Sequence, residues 1–159
     1  VVDESVTTGR EFFYQTAGSH PHTWLNNCGG SIGFGMPVAI GAAISCPDRK
    51  VISLEGDGSA MYTVQSLWTM ARENLDIVVL IFANQSYKIL QGELTNVGVV
   101  NPGKSAMEML SLQDPSLDWV SLSKGMGVDA VRVDNLEDLV KNFKNGLKMT
   151  GPYLIEVMI

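Results

Sequence analysis

The sequence predicts an α/β domain, a doubly wound, mainly parallel six-stranded sheet with helices on both faces. Three observations predict it. Val51–Leu54, Ile77–Phe82 and Tyr153–Val157 are short apolar runs without polar alternation, the pattern of strands covered on both faces. Between the first two, Met61, Val64, Leu67, Trp68 and Ala71 recur at helical spacing. The alternation continues along the chain with no long stretch of strands alone, which favours parallel strands joined by helical crossovers.

The elements follow in order. Val1–Asp3 reads as the end of a strand, and Glu4–Gly9 as a hydroxyl-rich loop. Arg10–Thr16 reads as a short helix. Ala17–Thr23 is a loop with His20 and His22, which lack an obvious third metal ligand and read as solvated turn residues. Trp24–Cys28 is read as a strand, and Pro37–Ser45 as a helix after a glycine-rich run. Gly33-Phe34-Gly35 invites a dinucleotide-binding reading, but Val38 stands where a third glycine is needed and no acidic residue follows at the ribose position. Beyond Asn84, Tyr87–Leu94 looks helical and Asn96–Pro102 reads as loop. Asp118–Gly125 is a helix, Ala130–Val133 a strand, Asn135–Lys148 a capped amphipathic helix and Tyr153–Val157 the last buried strand.

The chemistry concentrates between residues 51 and 90. A strand ends at Gly56-Asp57-Gly58-Ser59, a helix follows, and a second strand ends at Ala83-Asn84-Gln85. In a parallel βαβ unit both strand ends lie on one edge of the sheet, where open α/β sheets bind ligands. A carboxylate, an amide oxygen and a loop carbonyl form an oxygen-only set suited to Mg²⁺ or Ca²⁺. Gly56 and Gly58 allow a close backbone approach to phosphate, and the helix starting near Ser59 aims its free N–H groups at the same place. Asp-Gly alone is a common turn. The joint pattern of strand, GDGS, helix, strand and Asn demands more.

On these residues the chain resembles the thiamine diphosphate enzymes of the acetolactate synthase and benzoylformate decarboxylase type. Their cofactor motif begins with GDG and ends some thirty residues later in NN or a close variant, here Ala83-Asn84-Gln85. Gly29-Gly30-Ser31-Ile32-Gly33-Phe34-Gly35-Met36-Pro37 is similar to the family's GGxxGxGxP run. The resemblance implies Mg²⁺ held by Asp57, Asn84 and the main-chain carbonyl of Ser86, with the cofactor's diphosphate completing the shell. It implies that the Gly30 carbonyl meets the cofactor's 4′-amino group and that Ile32 wedges under the cofactor and bends it. It also implies cofactor contacts at Thr7, Ser31, Gly56, Gly58, Ser59 and Tyr87. As bare sequence, without the resemblance, Thr7 reads first as a helix cap and Ile32 first as a core residue.

The implied function is decarboxylation of a 2-keto acid, with transfer of the resulting acyl carbanion to a second carbonyl. The alternatives are a simple decarboxylase of the benzoylformate type and a module that binds the cofactor without turnover. The resemblance further implies a C-terminal domain of a longer three-domain enzyme, assembled as a homodimer or homotetramer and inactive in isolation. FAD would enter only through a domain absent here. Composition excludes other classes. With 45% hydrophobic and 18% charged residues the chain is globular rather than disordered. A net charge of −6 without a Lys/Arg cluster argues against nucleic acid. No apolar run approaches a membrane span. Cys28 and Cys46 are too few for a disulfide framework and are read as reduced core thiols. With no signal peptide visible, the expected compartment is the cytoplasm.

Overall fold

A computed structural model describes residues 1–159. Six parallel strands lie in the order β2-β1-β3-β4-β6-β5: β1 (Val2–Glu4), β2 (Leu25–Asn26), β3 (Val51–Gly56), β4 (Ile77–Ala83), β5 (Asp129–Val133) and β6 (Tyr153–Met158). The eight helices are α1 (Phe12–Gln15), α2 (Gly35–Ser45), α3 (Asp57–Ala60), α4 (Ser66–Arg72), α5 (Lys88–Asn96), α6 (Lys104–Met109), α7 (Trp119–Gly125) and α8 (Leu136–Gly146). None is long and apolar enough to cross a membrane.

β4 is the spine. All seven of its residues are buried, and alternate side chains feed opposite cores because strand side chains alternate in direction. Ile77, Val79 and Ile81 meet α2, α4 and α7 through Met36, Ala39, Ala43, Leu67, Met70 and Trp119. Val78, Leu80 and Phe82 meet α1 and α8 through Phe12, Leu139 and Phe143. On α2 the residues turned inward are Gly35, Met36, Ala39 and Ala43; small groups four apart let the helix lie close to the sheet. The chain runs from β1 outward to β2, then crosses back to β3 on the other side of β1. That reversal opens a crevice at the carboxyl ends of β1 and β3.

Several boundaries differ from those predicted by sequence. The strand expected over Trp24–Cys28 is only Leu25–Asn26, both exposed at the sheet edge, while Trp24 packs against the core that holds Phe82. Cys28 is exposed rather than a core thiol; Cys46 is half-buried and both are free. The helix expected over Met61–Arg72 starts at Asp57 and passes through a 3₁₀ turn at Met61–Thr63 before resuming as α4. Helix α6 falls in a stretch with no predicted element.

At the far edge Glu156, 1% exposed, lies beside Arg132 on the neighbouring strand. Arg132 donates from Nε to Glu156 Oε2 at 2.8 Å and from Nη2 to Oε1 at 3.3 Å, and its Nη2 also reaches Asp118 Oδ1 at 3.4 Å. Arg132→Met would leave a buried carboxylate without its cation. The expected cost is about 2–3 kcal/mol in urea unfolding, below that of a fully buried pair because the guanidinium is half in solvent. A loss under about 0.5 kcal/mol would show that the pair adds little to the fold.

Candidate functional site

Three segments converge on the crevice: the loop after β1, the glycine-rich run before α2, and the loops after β3 and β4. They enclose a cleft of about 230 Å³ that takes in Thr7, Gly30, Ile32, Gly56, Asp57, Gly58, Ser59, Asn84, Ser86 and Tyr87. Of the residues singled out by sequence, Ser31 alone does not line it. Its N–H donates to Asn27 Oδ1 at 3.0 Å and its carbonyl accepts from Asn27 Nδ2 at 2.8 Å, so it braces the turn instead. His20 and His22 lie away from the cleft in an exposed loop, where His22 Nδ1 is 2.8 Å from the His20 carbonyl.

Asp57 is 3% exposed. Its Oδ1 accepts the Gly58 N–H at 2.9 Å and its Oδ2 accepts the Gln85 N–H at 2.6 Å, which links the loop after β3 to the loop after β4. Burial pushes its carboxyl up from the ordinary aspartate value, while the Gln85 and Gly58 N–H groups pull it back. A cation at the cleft would reverse the burial effect. Gln85 has a left-handed φ of 55°, and the turn it makes brings Asn84 and Ser86 to the cleft. Asn84 Oδ1 accepts from Ser86 N at 3.0 Å and Ser86 Oγ at 3.2 Å, so the Ser86 hydroxyl must turn away before that amide oxygen could meet a cation. Tyr87 N–H donates to the Leu110 carbonyl and Leu112 N–H to the Gln85 carbonyl, at 2.9 Å each. These bonds pin residues 85–87 against 110–112 and leave the Ser86 carbonyl without a hydrogen bond from the chain.

Glycine is required at two points of the wall. A methyl on Gly58 would come within 2.7 Å of the Tyr87 ring. Gly33 has a φ of +84°, and a methyl there would meet Tyr62 Cβ at 3.0 Å. Ile32, just before it, is 43% exposed and belongs to neither core. The core reading of Ile32 therefore fails: a large aliphatic side chain is held out over the cleft.

Sequence reasoning missed two buried acids beneath this turn. Glu4 and Glu55 are partners in register on β1 and β3. Both are shielded from solvent, and Glu55 Oε2 has no hydrogen-bond partner. A carboxylate next to a GDG turn gives no sequence signal of burial. Desolvation, added to by the neighbouring Glu4 and opposed by the Ser53 hydroxyl, holds the Glu55 carboxyl well above its usual value of 4.5. The fold thus favours the protonated form, so this contribution to stability is complete below pH 4.5 and is lost as pH rises through the higher folded value. Glu55→Gln keeps the shape without the charge and is expected to gain stability over the native chain. That gain should be larger at pH 8 than at pH 5 by denaturant unfolding; an equal gain at both would remove Glu55 as the cause.

The donor set fits a divalent cation held together with a phosphorylated ligand. A single carboxylate, one amide and one free carbonyl are too few for a cage made of protein alone, and no cluster of three or more His, Cys, Asp or Glu exists. Mg²⁺ sites of this kind draw the remaining ligands from phosphate and water.

Comparison with known proteins agrees with this geometry. Residues 8–157 match the family described as thiamine pyrophosphate enzyme, C-terminal TPP binding domain. The chain is 46% identical over 160 residues to "Putative acetolactate synthase large subunit IlvX" of Mycobacterium tuberculosis, covering all of this chain and 31% of that protein. It is 33% identical to benzoylformate decarboxylase of Pseudomonas aeruginosa, covering 98% of this chain and 28% of that one. Among solved structures, the thiamine diphosphate-dependent 4-hydroxybenzoylformate decarboxylase of Rhodococcus jostii RHA1 superposes with a TM-score of 0.77 at 36% identity, over 88% of this chain and 25% of that chain. The chain spans less than a third of the length of these relatives. It belongs to the thiamine pyrophosphate enzyme family, as a C-terminal TPP-binding domain.

Proposed function

We propose that this chain holds Mg²⁺-thiamine diphosphate for an enzyme that decarboxylates a 2-keto acid and passes the acyl unit to a second carbonyl, as an acetolactate synthase does. One observation carries the reading: Gly30, Ile32, Asp57, Asn84 and Ser86, from three separate segments, line a single cleft. When bound, thiamine diphosphate supplies a nucleophilic thiazolium carbon and a ring that accepts the electrons released as CO₂ leaves. The chain's own part is binding and shaping. The Asp57 carboxylate, Asn84 amide and Ser86 carbonyl would hold the cation. Gly56, Gly58 and Ser59 would lie along the diphosphate, with Thr7 facing them from the loop after β1. Gly30 would present its carbonyl to the pyrimidine amino group, and Ile32 would support the bent cofactor from below. Holding reacting groups close and fixed is worth far more than any single contact.

The 46% identity to the acetolactate synthase-like protein favours carbon–carbon transfer over simple decarboxylation; the benzoylformate decarboxylase likeness keeps the latter as the second reading. A binding module without turnover has no use for an aliphatic side chain held out in solvent, and Ile32 is one. We place the site between two copies of a longer polypeptide, with a homodimer as the smallest working unit.

The test is thermal unfolding of the chain with Mg²⁺ and thiamine diphosphate, set against Mg²⁺ and ADP. Ligand at about a hundred times its dissociation constant adds about 2.7 kcal/mol, or about 5–10 °C in Tm for a chain this size. A rise with thiamine diphosphate alone supports the reading. Equal rises with both contradict it; with no rise, the same measurement is made on the full-length polypeptide, where no rise contradicts it. Ile32→Ala is expected to weaken thiamine diphosphate binding about tenfold while leaving stability in the absence of ligand within about 0.5 kcal/mol, because the side chain is outside both cores.

A further inference from the structure

We propose that Glu4 is a positioning residue: its carboxylate fixes the Gly33–Gly35 turn and so sets where Ile32 stands over the Asp57 loop. The proposal rests on the cofactor reading above and assigns a part to a residue outside the family motifs.

Ile32 has no core packing to hold it, so its place is set by the backbone on either side. On one side Ser31 is tied to Asn27 through both its N–H and its carbonyl. On the other, Gly33 N donates to Glu4 Oε1 at 2.7 Å and Gly35 N donates to Glu4 Oε2 at 2.6 Å. Thr63 Oγ1 adds a third tether, donating to the Gly33 carbonyl at 3.1 Å. Glu4 is 1% exposed and lies about thirty positions from the turn in sequence, so neither bond comes from local chain geometry.

The chemistry explains why a glutamate serves here. Two N–H groups two residues apart need two acceptors at fixed spacing, and a carboxylate provides both with charge assistance. A glutamine offers one oxygen and turns an NH₂ group towards the other N–H. An aspartate is shorter by one methylene. Glu4 also joins the remaining walls, because it is the last residue of β1, it lines the cleft, and its carbonyl lies 3.3 Å from the Ser59 hydroxyl. That contact runs through the main chain and survives a change of side chain. The side chain serves the turn that carries Gly30 and Ile32, whereas the main chain serves the loop assigned to the diphosphate.

The division gives the test. Glu4→Gln is compared with the native chain for Mg²⁺-dependent binding of thiamine diphosphate and of inorganic pyrophosphate, and for amide hydrogen exchange at Gly33 and Gly35 without ligand. One of those two amides should exchange at least about tenfold faster, and the thiamine diphosphate Kd should rise about tenfold or more. The pyrophosphate Kd should stay within about twofold. Parallel loss of both ligands, or unchanged thiamine diphosphate binding, would reduce Glu4 to a structural role and overturn the proposal. Should Glu4→Gln fail to fold, Thr63→Val cuts the third tether at a half-buried site and must show the same split in smaller measure; no split there also overturns it. A native chain that takes up neither ligand, alone or within its full-length polypeptide, fails the cofactor reading, and this proposal with it. A native chain that binds both while the variants show no split fails the proposal alone.

Discussion

Asp57→Ala is expected to abolish Mg²⁺-dependent cofactor binding, with a rise in Kd of about a hundredfold or more and no Tm gain at saturating ligand. The charged residues lining the cleft are Glu4, Asp57 and Lys88. Glu4 is committed to two glycine amides and Lys88 repels a cation, which leaves Asp57 to neutralise it. Each Asp57 oxygen accepts one N–H and keeps a second lone pair. Without ligand, two effects oppose each other. Alanine leaves the Gly58 and Gln85 N–H groups without an acceptor, which costs about 1–3 kcal/mol. It also removes a carboxyl whose charged form burial disfavours. Asp57→Asn separates charge from shape: it should lose the same affinity with a smaller loss of stability. Titration calorimetry with Mg²⁺ present and absent reads the first effect, and urea unfolding the second. Binding that survived in Asp57→Ala would move the metal elsewhere.

Gly35→Ala should be the most damaging substitution to the fold. A methyl there would overlap the Glu55 carboxylate, whose carbon would lie 2.7 Å away, and every atom nearby is buried. The backbone cannot retreat, because the Gly35 N–H is bonded to Glu4 at 2.6 Å. Overpacking of this kind costs about 3 kcal/mol, and more where a buried carboxyl must move. Gly41→Ala is the control on the same helix. Nothing lies within 4 Å of its added methyl, so helix propensity should make it stabilising by about 0.5–1 kcal/mol. Opposite shifts in denaturant midpoint for two Gly→Ala changes six residues apart would identify α2's first turn, and not the helix in general, as the constrained point. Similar shifts would mean that the Glu55 side chain has room to move.

The sheet and the cleft are legible in the sequence for a simple reason. Strands covered on both faces favour apolar runs; β4 is apolar throughout, and β3 is broken only by Ser53 before Glu55. The apolar pattern alone therefore places Asp57 and Asn84 on one edge of the sheet. What stays hidden depends on contacts distant in sequence. β2 is a short, exposed edge strand, which the Trp24–Cys28 segment does not reveal. The pinning of residues 85–87 by 110–112 joins two loops and leaves no periodicity. Glu4 and Glu55 read as strand-end acids, and only the fold shows them buried side by side under a glycine turn. Local pattern leaves Ile32 undecided between core and cleft; its exposure decides it.

The most direct test of the whole reading is a crystal structure of the chain grown with thiamine diphosphate and Mn²⁺ in place of Mg²⁺, with the metal located by its anomalous signal. The result expected is one ion coordinated by the Asp57 carboxylate, the Asn84 amide oxygen and the Ser86 carbonyl, with diphosphate oxygens completing its shell and the Ser86 hydroxyl turned away from Asn84. An ion bound anywhere else, or a diphosphate lying away from the Gly56–Ser59 loop, would contradict it.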